Sequence, residues 1–565
     1  MPNLTTGRER RASKPVLGEC AHLFFRPVSS GAWRAVTSAI KPKKLERRTG
    51  LNKAMNRVQG LRNVLVVASL LGAPAWAQQS SHVQETKASP AKPAVKAAPA
   101  SQKLFGSLGI SSKSVDAREN LEMSLDQYEN AGFDEAVMHA QMATEKDSKF
   151  ALAYAVWSFA ARRTVAAPEA LQKAKALKNR CVGDECLLVR FLTGAQEANY
   201  IPAIAAMNDL LARRPKDKHI LYLAGEWLYF QQDFERAAKL WTAALDVDPK
   251  FPPALNMLGY VYVEAIGPEP KKAVEYLRRY ADALPDQPNP QDSLGEVLRM
   301  TGDDSGSLAH YAEALRISPM YVTSQYGRGD TYTLMGNYGA ARSEYEKAMK
   351  MANNPEDMLH IELQSTLVHY WEGDSGTGRQ ELGELSTKAT AVKNAAAQFE
   401  IDYARALLAS DADTEHQILL ELERLLSAST PGMTESERNA TLAAVLREEI
   451  RVHTANNDLN EAQSDLEKLA KLAADSRDLL VENCYESSQG YVSAAKGDFA
   501  KAAEQLAADL YNPLTARELV LVEQKLGDTK AADNALIHLK YQRAPTAEWY
   551  AATQANRINR EGVKP

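Results

Sequence analysis

The stretch QQDFERAAKLWTAALDVDPK, residues 231–250, carries the spacing that decides the fold. Ala237 and Trp241 stand four residues apart, on one face of a helix. Pro249 follows at the point where a helix should end, because proline cannot continue the hydrogen-bond ladder. Gly225 lies 12 residues before Ala237. The segment therefore indicates the second helix of a helical hairpin.

The same order of glycine, small residue and bulky residue recurs downstream. The further sets are Gly259 with Ala273, Leu277, Tyr280 and Pro285, Gly295 with Ser307, Tyr311, Ala314 and Pro319, and Gly329 with Ala341, Tyr345, Ala348 and Asn353. The four glycines, beginning with Gly225, are spaced by 34, 36 and 34 residues. The longer interval contains a GPEP loop at 267–270. A fixed period of this length indicates a repeat array of helical hairpins.

This pattern resembles the tetratricopeptide repeat, whose period is about 34 residues. LNMLGYVY (255–262) is similar to the first half of that motif, and ARSEYEKAM (341–349) is similar to the second. The resemblance implies an all-α fold, a right-handed superhelix (α-solenoid) of stacked antiparallel helix pairs. One pair cannot bury its apolar face alone, so stacked neighbours must form a continuous core.

The pattern extends beyond the four clear repeats. Residues with the same spacing as in the repeats occur on both sides of them. Before the repeats they are Ala136, Ala140, Ala143, Ala203, Met207, Leu210 and Pro215, and after them Gly490, Ala502, Leu506 and Asp509. We expect a basic leader at 1–54, a signal peptide at 55–77, a Pro/Ala/Lys-rich linker at 78–115, tetratricopeptide-like repeats at 116–215, clear repeats at 216–354, degenerate helical hairpins at 355–482, C-terminal tetratricopeptide-like repeats at 483–555 and a tail at 556–565.

Composition argues against a nucleic-acid-binding or membrane-embedded chain. The 565 residues are 45% hydrophobic and 25% charged, with a formal net charge of −5. Residues 1–77 hold 14 Lys and Arg against 3 acids, which leaves 53 basic and 69 acidic groups in the remainder. An acidic body is a poor match for a polyanion. No apolar run reaches the roughly 20 residues that a membrane span requires.

The N-terminal region has the pattern of a secretory signal peptide. From Met55 the sequence MNRVQGLRNVLVVASLLGAPAWAQQ combines a positive start, a short apolar core and an A-x-A motif. Ala75 and Ala77 are the two alanines of this motif, and cleavage is predicted between Ala77 and Gln78. We therefore expect export to the periplasm or secretion. We favour Met55 as the start, with a longer leader or a basic, acid-poor transit peptide as alternatives.

Two of the four cysteines are close in sequence. Cys181 and Cys186 flank VGDE, where Gly183 and Asp184 indicate a helix stop followed by an N-cap. A disulfide across this turn would persist in an exporting compartment. The alternative is a pair of free thiols on packed helices. Cys484 has no nearby partner in sequence and is expected in the core.

No motif indicates catalysis, a cofactor or a metal. The phosphate-binding G-x-x-x-x-G-K-[ST], the zinc-binding H-E-x-x-H and the nucleophile motif G-x-S-x-G are all missing from the sequence. The ten histidines are scattered, and His360 and His369 lie nine residues apart, near opposite faces of a helix. WEGDSG (371–376) is expected to be a turn between helices.

The resemblance implies that a partner binds the concave surface formed by the first helix of each repeat. Carried over by spacing from each glycine, this surface comprises nine residues, here named the inner strip. They are Tyr222, Glu226, Tyr229, Asn256, Tyr260, Asp292, Glu296, Tyr326 and Asp330. The basic clamp that binds C-terminal carboxylates in this family is missing at these positions. Tyrosines and acids favour a neutral or basic extended peptide, although packing of the tyrosines between repeats is the alternative.

The leading hypothesis is a non-catalytic exported scaffold that binds a protein or peptide along this surface. In a bacterial envelope, such a scaffold would suit an assembly role. One alternative is a self-assembling structural array that uses residues 355–555, giving a homo-oligomer. A second alternative is an enzyme with an unrecognised site in 355–480. We predict no nucleic-acid partner, no cofactor and no membrane span in the mature chain.

Overall fold

The computed structural model describes residues 108–161, 166–264, 268–352, 354–427 and 433–554. Within these ranges the chain forms 25 α-helices and no strand. The predicted all-α array of stacked helix pairs is therefore confirmed. The leader, the signal peptide with Ala75, Ala77 and Gln78, most of the linker and the C-terminal tail lie outside the described residues.

Helices pair along the chain into twelve antiparallel hairpins, α1 with α2 through α23 with α24, followed by α25. The first fourteen are α1 (Val115–Glu129), α2 (Phe133–Lys146), α3 (Ala151–Ala160), α4 (Ala167–Ala176), α5 (Gly183–Gln196), α6 (Tyr200–Arg213), α7 (Lys218–Phe230), α8 (Phe234–Val247), α9 (Pro252–Glu264), α10 (Pro270–Ala283), α11 (Asn289–Thr301), α12 (Asp304–Ile317), α13 (Val322–Leu334) and α14 (Tyr338–Met351). The remaining helices are α15 (Pro355–Glu372), α16 (Ser375–Val392), α17 (Ala395–Leu407), α18 (Ala412–Ser427), α19 (Glu435–Ala455), α20 (Leu459–Ser476), α21 (Leu479–Ala495), α22 (Phe499–Leu506), α23 (Pro513–Leu526), α24 (Thr529–Tyr541) and α25 (Ala547–Thr553).

Several hairpins share the same turn between their first and second helices. A glycine with positive φ ends the first helix. The left-handed backbone conformation favours glycine, because a Cβ would be strained there. The next residue, Asp or Asn, caps the second helix by accepting a backbone N–H three residues on. The five turns are Gly302-Asp303, Gly336-Asn337, Gly373-Asp374, Gly497-Asp498 and Gly527-Asp528. The third of these is the expected turn in WEGDSG.

The repeating glycine allows the two helices of a hairpin to approach closely. A Cβ added at Gly225 would lie 2.5 Å from Nε1 of Trp241, and one at Gly329 would lie 2.5 Å from Cε1 of Tyr345. Gly259, Gly295 and Gly490 meet Leu277, Tyr311 and Leu506 in the same way. Carbon atoms in ordinary contact are about 3.5–4.0 Å apart. Each of these bulky side chains therefore occupies the space that a side chain at the glycine would need.

The array closes on itself. The largest core runs from Leu108 to Met300 and also contains Tyr511, from the C-terminal part of the chain. Helix α24 contacts α9 and α11, and α19 contacts α5. The hairpins after residue 355 therefore pack against the earlier hairpins of the same chain, which the sequence did not predict.

None of the helices in the described ranges combines the length and the apolar character needed to cross a bilayer.

Candidate functional site

The inner strip lies on the first helices of four consecutive hairpins, α7, α9, α11 and α13. Because the residues of the inner strip have the same spacing from each glycine, they occupy equivalent positions on these helices, as the repeat predicts. All nine side chains are buried, each exposing 8% or less of its surface. The open concave surface expected from the resemblance is therefore enclosed in this conformation.

Tyrosine hydroxyls of the inner strip donate to acids on the next hairpin. Tyr229 donates to Glu264 at 2.7 Å, and Tyr260 donates to Glu296 at 2.8 Å. A buried phenol needs such a partner, and burial raises the pKa of the Glu264 carboxyl to about 8. These tyrosines pack between repeats, as the alternative in the sequence analysis stated, while the acids beside them are buried rather than solvated.

Three other residues of the inner strip have contacts of their own, and a fourth, Asn256, has a buried oxygen without a hydrogen bond. Glu226 accepts a 2.6 Å hydrogen bond from Tyr128 on α1. Tyr222 offers its backbone carbonyl to Trp241, and the ring of Tyr326 lies edge-on to His360, with centroids 5.5 Å apart. The side-chain oxygen of Asn256 is buried without a hydrogen-bond donor among the described residues. The Asn256 oxygen is therefore a buried acceptor that could take a further hydrogen bond.

The acids at the centre of the inner strip are only partly compensated. Arg299 lies 3.2 Å from Glu296 and 3.5 Å from Asp330. Asp292 accepts a 2.5 Å hydrogen bond from Ser324, and burial raises the pKa of its carboxyl to about 7. Burial disfavours the charged form of a carboxyl when no cation is close enough to offset it. A cationic group reaching Asp292 would therefore be stabilised there.

The C-terminal helices contact the end of α11, the helix that carries the centre of the inner strip. Arg543, which follows α24, is 4% exposed and donates to Asp304 at 2.6 and 3.0 Å. It also donates to the carbonyl of Arg299 at 2.7 Å, in the last turn of α11. A guanidinium at a helix C-terminus binds carbonyls that lack a partner within the helix. Arg543 thus joins α24 to the hairpin that carries the centre of the inner strip.

Other contacts extend the same closure along the array. Tyr200 hydrogen-bonds Asp478, and the ring of Phe234 lies 5.3 Å from that of Tyr511. At the far end Trp371 stacks on Trp549 of α25, with centroids 5.5 Å apart. On the earlier hairpins, these three contacts lie at or beside the turns between first and second helices. The C-terminal hairpins therefore run along that edge of the earlier array.

One cluster was missed because its residues are far apart in sequence. His416 on α18, Glu449 and His453 on α19 bring three ligand atoms within 4.8 Å of one another. Asp465 on α20 adds a carboxylate 3.5 Å from His453. Glu449 and His453 are four residues apart on one helical face, which is the signal that the sequence offered. His416 and His453, scattered in the sequence, come together because α18 packs against α19.

Cys181 and Cys186 form a disulfide in the structure, with their Cα atoms 5.1 Å apart. Helix α5 begins at Gly183, between the two cysteines, and Val182 occupies its N-cap position. The backbone N–H of Val182 donates to the Glu185 carboxylate. The expected N-cap at Asp184 was thus placed two residues too late. Cys484 is buried in the core.

Comparison with known proteins gives partial matches only. No family model matches the chain. Protein FlbA of Caulobacter vibrioides is 28% identical over 107 residues, which is 19% of this chain and 18% of FlbA. The chain therefore spans less than a fifth of the length of that relative.

Solved structures of helical repeats align with parts of the chain. A tetratricopeptide repeat protein from Parabacteroides merdae covers 51% of this chain and 99% of its own, at 13% identity and a TM-score of 0.31. PilW, a type IV pilus biogenesis factor, covers 40% and 98%, at 18% identity and a TM-score of 0.29. MamA covers 31% and 92%, at 20% identity and a TM-score of 0.25.

These alignments are too distant to transfer a role, so the fold is assigned on the chain's own geometry. The glycines of the 34-residue period each meet a bulky residue of the following helix, and the resulting hairpins stack in order. By that repeat and that packing, the chain has a tetratricopeptide-like fold of stacked helical hairpins.

Proposed function

We propose that this chain is a non-catalytic exported scaffold that binds a protein or extended peptide along the inner strip. Helical-repeat arrays present extended surfaces made of equivalent positions, which suits binding of an extended segment. The exported location rests on the signal-peptide pattern before Gln78 and on the disulfide, since such bonds persist in oxidising compartments. A role in envelope assembly is part of the same proposal.

The raised pKa of Asp292 is the observation that carries the proposed charge of the partner. A carboxyl with a pKa of about 7 is held in a site where burial outweighs the stabilisation of its charge. A Lys or Arg of the partner would offset that cost, and the amide N–H of a neutral segment would satisfy the buried Asn256 oxygen. Acidic segments would be repelled.

We propose that the C-terminal helices limit access to the inner strip. Helix α24 contacts α9 and α11, and Arg543 secures it to Asp304. We propose that a partner competes with this cover, so that the free chain is closed and binding opens it. Such a chain binds its partner more weakly than an open one, in proportion to the population of the open state.

The experiment compares peptide binding by the wild type and by Arg543→Ala. Fluorescence anisotropy would be measured with extended Lys-rich, neutral and Glu-rich peptides. Arg316→Ala is the matched control, because Arg316 is an exposed residue whose ion pair with Glu313 lies within α12. We expect Arg543→Ala to bind the basic or neutral peptide at least about tenfold more tightly, because the closed state is depopulated.

Equal affinity in all three proteins would place the binding surface outside the inner strip. Preference for the Glu-rich peptide would contradict the proposed charge of the partner. Circular dichroism on each variant checks that the helical array is retained. Analytical ultracentrifugation of the wild type over a range of concentrations separates peptide binding from the alternative of self-assembly.

A further inference from the structure

We propose that His416, Glu449, His453 and Asp465 form a binding site for a divalent transition-metal ion, with Zn²⁺ as the best match. Two imidazoles and two carboxylates are a ligand set that zinc accepts. The four residues come from three successive helices, α18, α19 and α20. A metal held here would join one hairpin to the next.

The distances in the cluster are close to those that a tetrahedral ion would impose. Nε2 of His453 lies 3.7 Å from Oε2 of Glu449 and 3.5 Å from Oδ2 of Asp465. Ligands about 2.0–2.1 Å from zinc stand roughly 3.3 Å from one another in a tetrahedron. Nδ1 of His416 lies 2.6 Å from Oε2 of Glu449, so this pair must separate by less than about 1 Å. The ligand atoms of His416, Glu449 and His453 already lie within 4.8 Å of one another, and Asp465 would complete the site from the His453 side.

Glu449 supplies the independent sign of a missing ligand. Its side chain is 1% exposed, and one carboxylate oxygen, Oε1, has no hydrogen-bond partner among the described residues. Leaving a buried carboxylate oxygen unsatisfied is costly, so such groups are normally paired or bound to a metal. The other oxygen receives the hydrogen bond from His416.

Groups around the cluster would orient the ligands. Lys468 binds the other oxygen of Asp465, Oδ1, at 3.0 Å, which leaves Oδ2 facing His453. Asp458 lies 4.0 Å from Nδ1 of His453, on the side away from Glu449. A carboxylate that hydrogen-bonds the second ring nitrogen fixes the tautomer and orientation of a histidine ligand, and Asp458 would have to approach by about 1 Å to do so. The arrangement favours coordination through Nε2 of His453.

The location gives the ion a structural role. Helices α17 to α20 contain no glycine, so these hairpins lack the glycine contact that joins the helices of the clear repeats. Four protein ligands would close the coordination sphere, which is typical of structural rather than catalytic zinc. We infer that the ion holds α18 against the α19–α20 hairpin.

The test is titration of Zn²⁺ into the metal-free, tag-free full chain by calorimetry, with Ca²⁺ as the comparison ion. We expect one Zn²⁺ per chain, no Ca²⁺ binding at this site, and a rise in melting temperature with Zn²⁺. His453→Gln should weaken Zn²⁺ binding by at least about 100-fold, because even outer-shell changes cost 10- to 100-fold. Asp465→Asn serves the same purpose if the histidine variant does not fold.

His360→Gln is the matched control. His360 lies 2.6 Å from Glu400 in a pair of the same geometry, but no second histidine of the described ranges completes it. This variant should bind Zn²⁺ as the wild type does. Zn²⁺ affinity that survives both His453→Gln and Asp465→Asn, or an absence of any Zn²⁺-dependent rise in melting temperature, would overturn the proposal. X-ray absorption of the bound zinc should show nitrogen and oxygen ligands without sulfur.

Discussion

The replacement Gly225→Ala tests whether close helix approach within a hairpin holds the array together. The added Cβ would lie 2.5 Å from Nε1 of Trp241, whose side chain is fully buried. Ordinary contact requires about 3.5 Å or more, so the indole or the helix must shift by roughly 1 Å. That shift also weakens the 3.2 Å hydrogen bond from Trp241 to the carbonyl of Tyr222.

The expected loss follows from three effects. Overpacking of this kind costs about 1–3 kcal/mol, and the weakened hydrogen bond costs about 1 kcal/mol. Alanine favours the helix over glycine by about 1 kcal/mol, which offsets part of the loss. We therefore expect Gly225→Ala to lower the free energy of unfolding by about 1–3 kcal/mol.

Gly383→Ala is the matched control, because Gly383 also lies inside a helix but a Cβ there meets nothing within 4 Å. That change should raise stability by up to about 1 kcal/mol through helix propensity alone. Urea denaturation followed by circular dichroism would give both values, and hydrogen exchange would localise the effect to α7 and α8. If Gly225→Ala proved as stable as Gly383→Ala, the glycine contact would not be the determinant of hairpin packing.

Two further predictions concern pH and the disulfide. Burial raises the pKa of Asp292 from its ordinary 3.8 to about 7, so the folded chain binds more protons than the unfolded chain between these values. Stability should therefore fall as pH rises through this window, and the wild type should lose about 2–3 kcal/mol more than Asp292→Asn between pH 5 and pH 8. Denaturation at both pH values, with the exposed Asp286→Asn as control, measures the difference, and parallel losses in all three proteins would contradict it. Joining Cys181 to Cys186 closes a short loop, so Cys186→Ser should destabilise this region by about 2 kcal/mol. Peptide mapping without reductant checks the bond, and equal hydrogen exchange in Cys186→Ser and wild type would show that it contributes little.

The hairpin register could be predicted because the contacts that define it are local. Gly225 and Trp241 are 16 residues apart, and both positions follow from one glycine, one small residue and helical periodicity. The glycine-Asp turns are equally local, since the cap and the N–H that it accepts lie three residues apart. Both patterns recur along the chain, and this recurrence distinguishes them from chance matches.

The sequence by itself thus determined the helices, their pairing and the positions of the inner strip. Whether that strip is open was decided by tertiary structure. Closure depends on contacts such as Tyr200 with Asp478, 278 residues apart, and Arg543 with Asp304, 239 apart. These contacts arise because small rotations between successive hairpins accumulate along a solenoid. No local pattern encodes that sum.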